Sequence, residues 1–279
     1  MIYRVVDIET VPDYNAWQPP EKWKLAPLGE ATWDPKARAM EPVKAGLVLD
    51  EPFAPPQAHR VVAIAWVDLH AGVSNPRRYH YRGFGASCAW DSKNPDKAER
   101  HLLEDFHRAM HDDGGDSANV MLITWNGRRF DLPVLSMRSL KHGVPFGWYY
   151  QNDDVRYRYK EEGHTDLMDY LSDYGSAITM KLGDIAKLIG LPGKTDMTGA
   201  SVADIAREGN IVKNMERVRR YCLADSLQTA LVYLRSMVHI GRIEPAQHDE
   251  ALGTVRESEA ASETGLDIDW NLLKVVRPS

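Results

Sequence analysis

Apolar runs and their spacing divide the chain into strands first and helices later. Tyr3 to Ile8 is a short stretch of aromatic and β-branched residues that carries Asp7, and it predicts a buried strand. Arg60 to Leu69 (RVVAIAWVDL) predicts a second strand, and Pro76 to Phe84 a third that pairs with it. Val120 to Trp125 (VMLITW) is continuously apolar, the pattern of a strand covered on both faces. Leu102, Leu103, Phe106 and Met110 recur at helical spacing, so a helix is predicted from about Asn94 to Met110, with Asn94 as its cap and Pro95 in its first turn. A further helix is predicted over Asp131 to Lys141, ended by Gly143, and short ones over 166–173, 181–189 and 200–208. The last is long: Met215 to Ile240, capped by Asn214, stopped by Gly241, with Leu223, Leu227, Ala230, Leu231, Leu234 and Val238 as its core stripe.

Two stretches break this order. Nine of the sixteen prolines fall within residues 10–59, beside Trp17, Trp23 and Trp33, which predicts an irregular insertion rather than helices or central strands. Residues 144–165 are aromatic and charged and match no single element. The order of the rest describes one α/β domain around a mixed sheet, residues 1–240, followed by a polar appendage at 241–279 in which Leu266 to Val276 can dock on the body.

Composition narrows the class. A chain of 279 residues with 43% apolar content can bury a substantial core. Cys88 and Cys222 are its two cysteines, which excludes a disulfide framework and a thiolate zinc site. No apolar run approaches the roughly 18 residues of a membrane span, and an acidic residue stands among the first seven, unlike a signal peptide. A cytoplasmic protein without membrane contact is expected. The net charge of −6 excludes a basic coat for nucleic acid but suits a cluster of carboxylates that a metal ion neutralises.

Three groups of residues carry chemistry. In Asp7-Ile8-Glu9-Thr10, strand alternation sends Asp7 and Glu9 to one side and Ile8 into the core. Two adjacent carboxylates repel unless a cation lies between them, and hard oxygen donors select Mg²⁺ or Mn²⁺; a solvated strand end is the alternative. In Trp125-Asn126-Gly127-Arg128-Arg129-Phe130-Asp131 a strand runs through an Asn-Gly turn to an acid at a helix start, where Asp131 is either a cap or a third metal carboxylate. In Tyr221-Cys222-Leu223-Ala224-Asp225 the phenol and carboxylate are four apart on one helix face, a ligand pair or an ordinary amphipathic boundary.

Taken together, DIET, NGRRFD and YxxxD resemble the three exonuclease motifs of the DEDD superfamily in its tyrosine-bearing branch. The chain is similar, over roughly residues 1–240, to predicted bacterial 3′→5′ exonucleases related to the proofreading domain of family B DNA polymerases. The stretches Thr124 to Gly127, Phe130 to Leu135, His164 to Asp169 and Leu191 to Lys194 support the match. The resemblance implies an α/β, ribonuclease H-like fold, a mixed five-stranded sheet flanked by helices. It further implies two divalent cations, Mg²⁺ or Mn²⁺. Asp7, Glu9 and Asp225 would hold the one that activates water, Asp7 would also touch the second, and Asp131 would complete it. Tyr221 would orient the water. Thr10, Asn126, Arg128, Phe130 and Lys194 fall on the substrate side, and the partner is a single-stranded 3′ end, DNA ahead of RNA, in a setting such as DNA repair.

Stacking candidates are Trp125, Trp148, Tyr149 and the insertion tryptophans, each with burial in the core as the plainer alternative. Arg128, Arg129, Lys194 and the 156–160 run (RYRYK) are candidates for phosphates, or solvated faces. Because Tyr221 occupies the water-positioning role, His164 and Asp166 are expected to be structural; Asp169 and Asp173 read as exposed helix residues. The insertion at 10–59 and the segment after Lys194 (TDMTGASVADI) depart from the pattern. Two rivals stand: an exoribonuclease of the same superfamily, and a silent nucleic-acid-binding module, against which the presence of all five site residues speaks.

Overall fold

The computed structural model describes residues 1–18, 31–34, 39–42, 53–72, 75–111, 120–193, 197, 202, 205 and 210–275, with the backbone alone at 31–34 and 39–42. In chain order its elements are β1 (Ile2–Pro12), β2 (Ala31–Asp34), β3 (Ala39–Pro42), β4 (His59–Gly72), β5 (Asn75–Cys88), α1 (Pro95–Ala109), β6 (Val120–Thr124), α2 (Asp131–His142), α3 (Gly147–Tyr150), α4 (Asp153–Arg156), β7 (His164–Asp166), α5 (Leu167–Leu171), α6 (Leu182–Leu188), α7 (Ile211–His239), α8 (Pro245–Arg256) and α9 (Glu259–Thr264).

Five strands form one sheet in the order β5-β4-β1-β6-β7. β4 runs antiparallel to both of its neighbours, whereas β1, β6 and β7 are parallel. With helices on both faces this is the ribonuclease H-like architecture the motifs imply. Alternation along β1 sorts the core. Tyr3, Val5 and Val11 pack with Leu223, Leu227 and Leu231 of α7, while Val6 and Ile8 pack on the opposite face with Leu102 and Phe106 of α1 and Leu132 and Leu135 of α2.

Several expectations need correction. β1 continues to Pro12, whose missing N–H is tolerated because it pairs His59 at the strand's last position. The proline-rich insertion is therefore not irregular throughout: it starts inside β1 and holds the β2–β3 hairpin. α7 begins four residues before its expected start, at Ile211 rather than Met215. Asn210 accepts from Lys213 N–H at 3.1 Å, and Asn214 donates its amide to Ile205 O at 2.8 Å. The helix at 200–208 lies mostly outside the described residues. In the polar C-terminal stretch, Ala251, Leu252, Val255, Ala260 and Leu273 belong to the α7-side core. Among the described residues no helix is long and apolar enough to cross a membrane.

Candidate active site

The site lies within β1, just past Val5 where its pairing with β6 ends, on the face that α7 crosses, near the carboxyl end of β6. Asp7 and Glu9 share the face of β1 that meets α7, and a register shift between Glu9 and Thr10 bends the strand just past them. Asp225 comes from the buried side of α7. Ligand oxygens of Asp7, Glu9 and Asp225 all lie within 4.8 Å of one another. Glu9 and Asp225 are buried and Asp7 half-buried.

Two side chains seat α7 at this distance. Cys222 donates its thiol to Asp7 O at 3.3 Å and lies 3.6 Å from Asp7 Oδ2, and Ser226 donates to Ala65 O at 3.1 Å. Asp7 and Ala65 are strand partners, so one turn of α7 grips both strands of a single rung. Neither residue was singled out from the sequence; the available signal was Cys222 and Ser226 repeating, one position on, the i, i+4 spacing of Tyr221 and Asp225.

Tyr221 is buried and donates its hydroxyl to Asp225. Burial raises its phenol pKa, and the charges of Asp225, Glu9 and Asp7 raise it further. Burial likewise raises the Cys222 thiol, followed by Asp7, Glu9 and Asp225. Both shifts register a concentrated negative field. A hard divalent cation fits such a donor set, because it removes the repulsion among the three acids and takes oxygen ligands.

Asp131 stands beside the trio rather than in it. It starts α2, is 5% exposed, and accepts hydrogen bonds from its own amide and from that of Ile8, the residue between Asp7 and Glu9. Burial pushes its carboxyl up, the nearby charge of Asp166 adds to this, and the two amides oppose it. The turn before it is tightly built. Asn126 adopts a left-handed conformation (φ 66°), which Asn tolerates, and a Cβ on Gly127 would stand 2.4 Å from Thr124 Oγ1.

Substrate-side candidates fare differently. Phe130 joins a ring cluster with His59 (centroids 4.9 Å apart) and the 78% exposed Phe53 (5.6 Å). Thr10 meets the same cluster: His59 Nε2 donates to Ala54 O at 2.8 Å, so its Nδ1 accepts the Thr10 hydroxyl at 3.0 Å. Asn126 Oδ1 is buried with no partner among the described residues. Arg128 does not reach outward as expected. Its guanidinium donates to the carbonyls of Val155, Arg156, Tyr157 and His164, at 3.1, 3.2, 3.3 and 2.8 Å. Lys194 lies outside the described residues.

His164 and Asp166 are both buried and held by neighbouring groups. His164 Nε2 meets Thr124 Oγ1 at 2.8 Å in a fully buried setting that holds its pKa well below the ordinary value. Asp166 accepts from the amides of Asn126 (2.8 Å) and Arg128 (3.0 Å), which fixes the turn before Asp131. Asp169 corrects the expectation of an exposed residue: it is buried and paired with Arg158 at 2.5 and 2.6 Å, which also removes Arg158 from the free phosphate contacts. Trp148 is a core residue, 4% exposed.

Asp96, Glu99 and His142 form a second group with ligand atoms within 4.8 Å. Here protein cations already neutralise the acids: Arg60 and Lys141 pair with Asp96, and Arg138 with Glu99. This group is an ion-pair network on the α1–α2 side, not a vacant donor set.

Among curated proteins none matches this chain. Among solved structures it is similar to the family B DNA polymerase from the hyperthermophilic archaeon Pyrobaculum calidifontis, at 15% identity and a TM-score of 0.48. That match covers 95% of this chain and 27% of the polymerase chain, so the protein spans about a quarter of its length. A family model described as predicted 3′-5′ exonuclease related to the exonuclease domain of PolB matches residues 51–269, which include Asp131, Tyr221 and Asp225 and follow Asp7 and Glu9. The chain belongs to this family of 3′→5′ exonucleases.

Proposed function

We propose that the protein is a divalent-cation-dependent 3′→5′ exonuclease that hydrolyses the terminal phosphodiester of single-stranded DNA and releases nucleoside 5′-monophosphates. The observation that carries this reading is the approach of Asp7, Glu9 and Asp225 from two elements, with Tyr221 bonded to Asp225. Asp7, Glu9 and Asp225 would hold one divalent cation, and Asp131 with Asp7 would hold a second. Such ions, Mg²⁺ or Mn²⁺, would supply an activated water and stabilise the charge on entering and leaving oxygens.

The chain's own groups do the rest. Tyr221 orients the attacking water by a hydrogen bond, and Cys222 and Ser226 fix the helix that carries it. Phe130 and the exposed Phe53, packed on the buried His59, offer rings for the terminal base. DNA is preferred over RNA in this reading because the family is related to the exonuclease domain of a DNA polymerase.

Digestion of 3′-labelled single-stranded DNA and RNA with Mg²⁺ or Mn²⁺ tests the reading. Wild type shortens the DNA from its labelled end, Asp7→Ala and Asp225→Ala lose activity, and Tyr221→Phe retains more than either. No shortening by wild type, or full activity in Asp7→Ala, refutes the metal-site assignment. Faster digestion of RNA overturns the preference for DNA.

A further inference from the structure

Residues 149–160, which match no single element in the sequence, place three large rings in solvent. Tyr150, Tyr157 and Tyr159 are 47%, 60% and 57% exposed and belong to neither core. Three exposed rings within ten residues leave apolar area uncovered that folding ordinarily buries, and such a patch marks an interaction surface.

The rings are held in place. The Tyr150 hydroxyl bonds Ser136 Oγ at 2.7 Å, and Arg156 lies over its ring at 5.2 Å. Tyr159 contacts Tyr157 (5.9 Å) and Tyr174 (4.9 Å), with Arg158 over it at 5.8 Å. Fixed rings lose little freedom on binding. A groove of about 660 Å³ runs beside them, lined by Tyr149, Arg156, Tyr157 and Lys160 together with Asp153 and Asp154.

The segment that carries the rings is anchored to the turn that leads to Asp131. The Arg128 bonds to the carbonyls of Val155, Arg156 and Tyr157 tie the segment to the loop that ends in Asp131. Rings interleaved with cations suit one occupant in particular, a single strand, whose bases stack on aromatics and whose phosphates meet the cations. Charge contributes little: Lys160 pairs with Asp154 and Arg158 with Asp169, leaving Arg156 outside the ion pairs among the described residues.

We propose that Tyr150, Tyr157 and Tyr159, with Arg156, hold the single-stranded nucleic acid upstream of the nucleotide being removed. The proposal rests on the exonuclease reading above for its direction, and it adds where the strand lies. Stacking then dominates, at about 5- to 150-fold in affinity per base. Salt dependence is shallow, with a log–log slope between about −0.7 and −1.4 for one or two phosphates.

The test is fluorescence anisotropy of a labelled single strand of about ten nucleotides, a length within the usual single-strand site sizes. It uses the full chain in buffer free of divalent cations. Tyr157→Ala/Tyr159→Ala lowers affinity by about 10-fold or more, and Tyr157→Phe/Tyr159→Phe restores it, since Phe keeps the stacking face. In digestion, the ratio of wild-type to variant kcat/KM rises with strand length from a dinucleotide upward. Unchanged affinity in the alanine variant, a ratio independent of length, or a salt slope steeper than about −3 overturns the proposal. Wild type that binds strands through these rings but shortens none supports the surface and refutes the exonuclease reading.

Discussion

Arg138→Met probes the network that holds the two ends of the site together. The Arg138 side chain is 1% exposed and bonds four groups: both Glu99 oxygens, Asp13 Oδ2 at 2.9 Å, and Gln57 O at 2.9 Å. Asp13 lies one residue beyond β1, and Arg138 lies two turns into the helix that starts at Asp131. Met has similar bulk and no charge, so the change strips the cation without opening a large hole. Glu99, with no exposed side-chain area, then keeps Val61 N–H at 2.9 Å, His142 Nε2 at 2.8 Å and a distant Arg60 at 3.7 Å; Asp13 keeps Arg60 and Lys141. Breaking a buried pair costs about 3–5 kcal/mol, and the remaining cations place this case near the lower end, about 3 kcal/mol. At about 2 °C per kcal/mol for a chain of this size, Tm falls by about 6 °C. Calorimetry reads this, and Glu99→Met with the double variant completes a cycle in which the double change costs well under the sum of the singles. A Tm shift below about 2 °C, with additive single effects, refutes the account of the network.

Two further predictions follow from the same charges. Burial alone would raise the carboxyls of Asp13 and Asp96, but Arg60, Arg138 and Lys141 outweigh it at Asp13, and Lys141 and Arg60 hold Asp96 at about 2. Depressed acids stabilise the fold above their ordinary value of 3.8 and lose that contribution as pH falls, so Asp96→Asn flattens the stability curve between about pH 4 and pH 2; an unchanged acid limb contradicts this. For Asp131, Asn keeps an acceptor for the Ile8 amide and Ala does not. Asp131→Asn therefore unfolds near the wild-type temperature yet loses activity, whereas Asp131→Ala is also destabilised, by about 1–3 kcal/mol for the orphaned amide. Equal stability of the two variants, measured by thermal unfolding, shows that the Ile8 bond contributes nothing.

The site was more legible in the sequence than its supports. Period-two alternation placed Asp7 and Glu9 together, and the strand–turn–helix pattern placed Asp131 at its helix start. Tyr221 and Asp225 followed from spacing. The start of α7 was not legible, because Asn210 and Asn214 both suit a cap and the apolar stripe begins only at Met215; Val212, in the first turn, is 76% exposed. Arg128 and Asp169 were misread for a different reason. A charged side chain turns inward when carbonyls or an opposite charge await it, and those partners come from residues about 10 to 40 positions away. Likewise the prolines that begin at Pro12 led to an expected strand end at Ile8, whereas pairing with β4 carries β1 on to Pro12.

The family match begins after Asp7 and Glu9, so what joins these acids to Asp225 is packing. β1 lies between β4 and β6, and its register is set on both faces: Val5 and Val11 must meet α7, while Val6 and Ile8 must meet α1 and α2. A slip of one residue would turn Asp7 and Glu9 into the apolar layer beneath α1 and α2 and expel Ile8, exchanging a satisfied core residue for two buried charges. Cys222 and Ser226 then lock the other partner, since each bonds a carbonyl of the Asp7–Ala65 rung one position along the helix from Tyr221 and Asp225. The carboxylates converge because the apolar residues around them admit no other register.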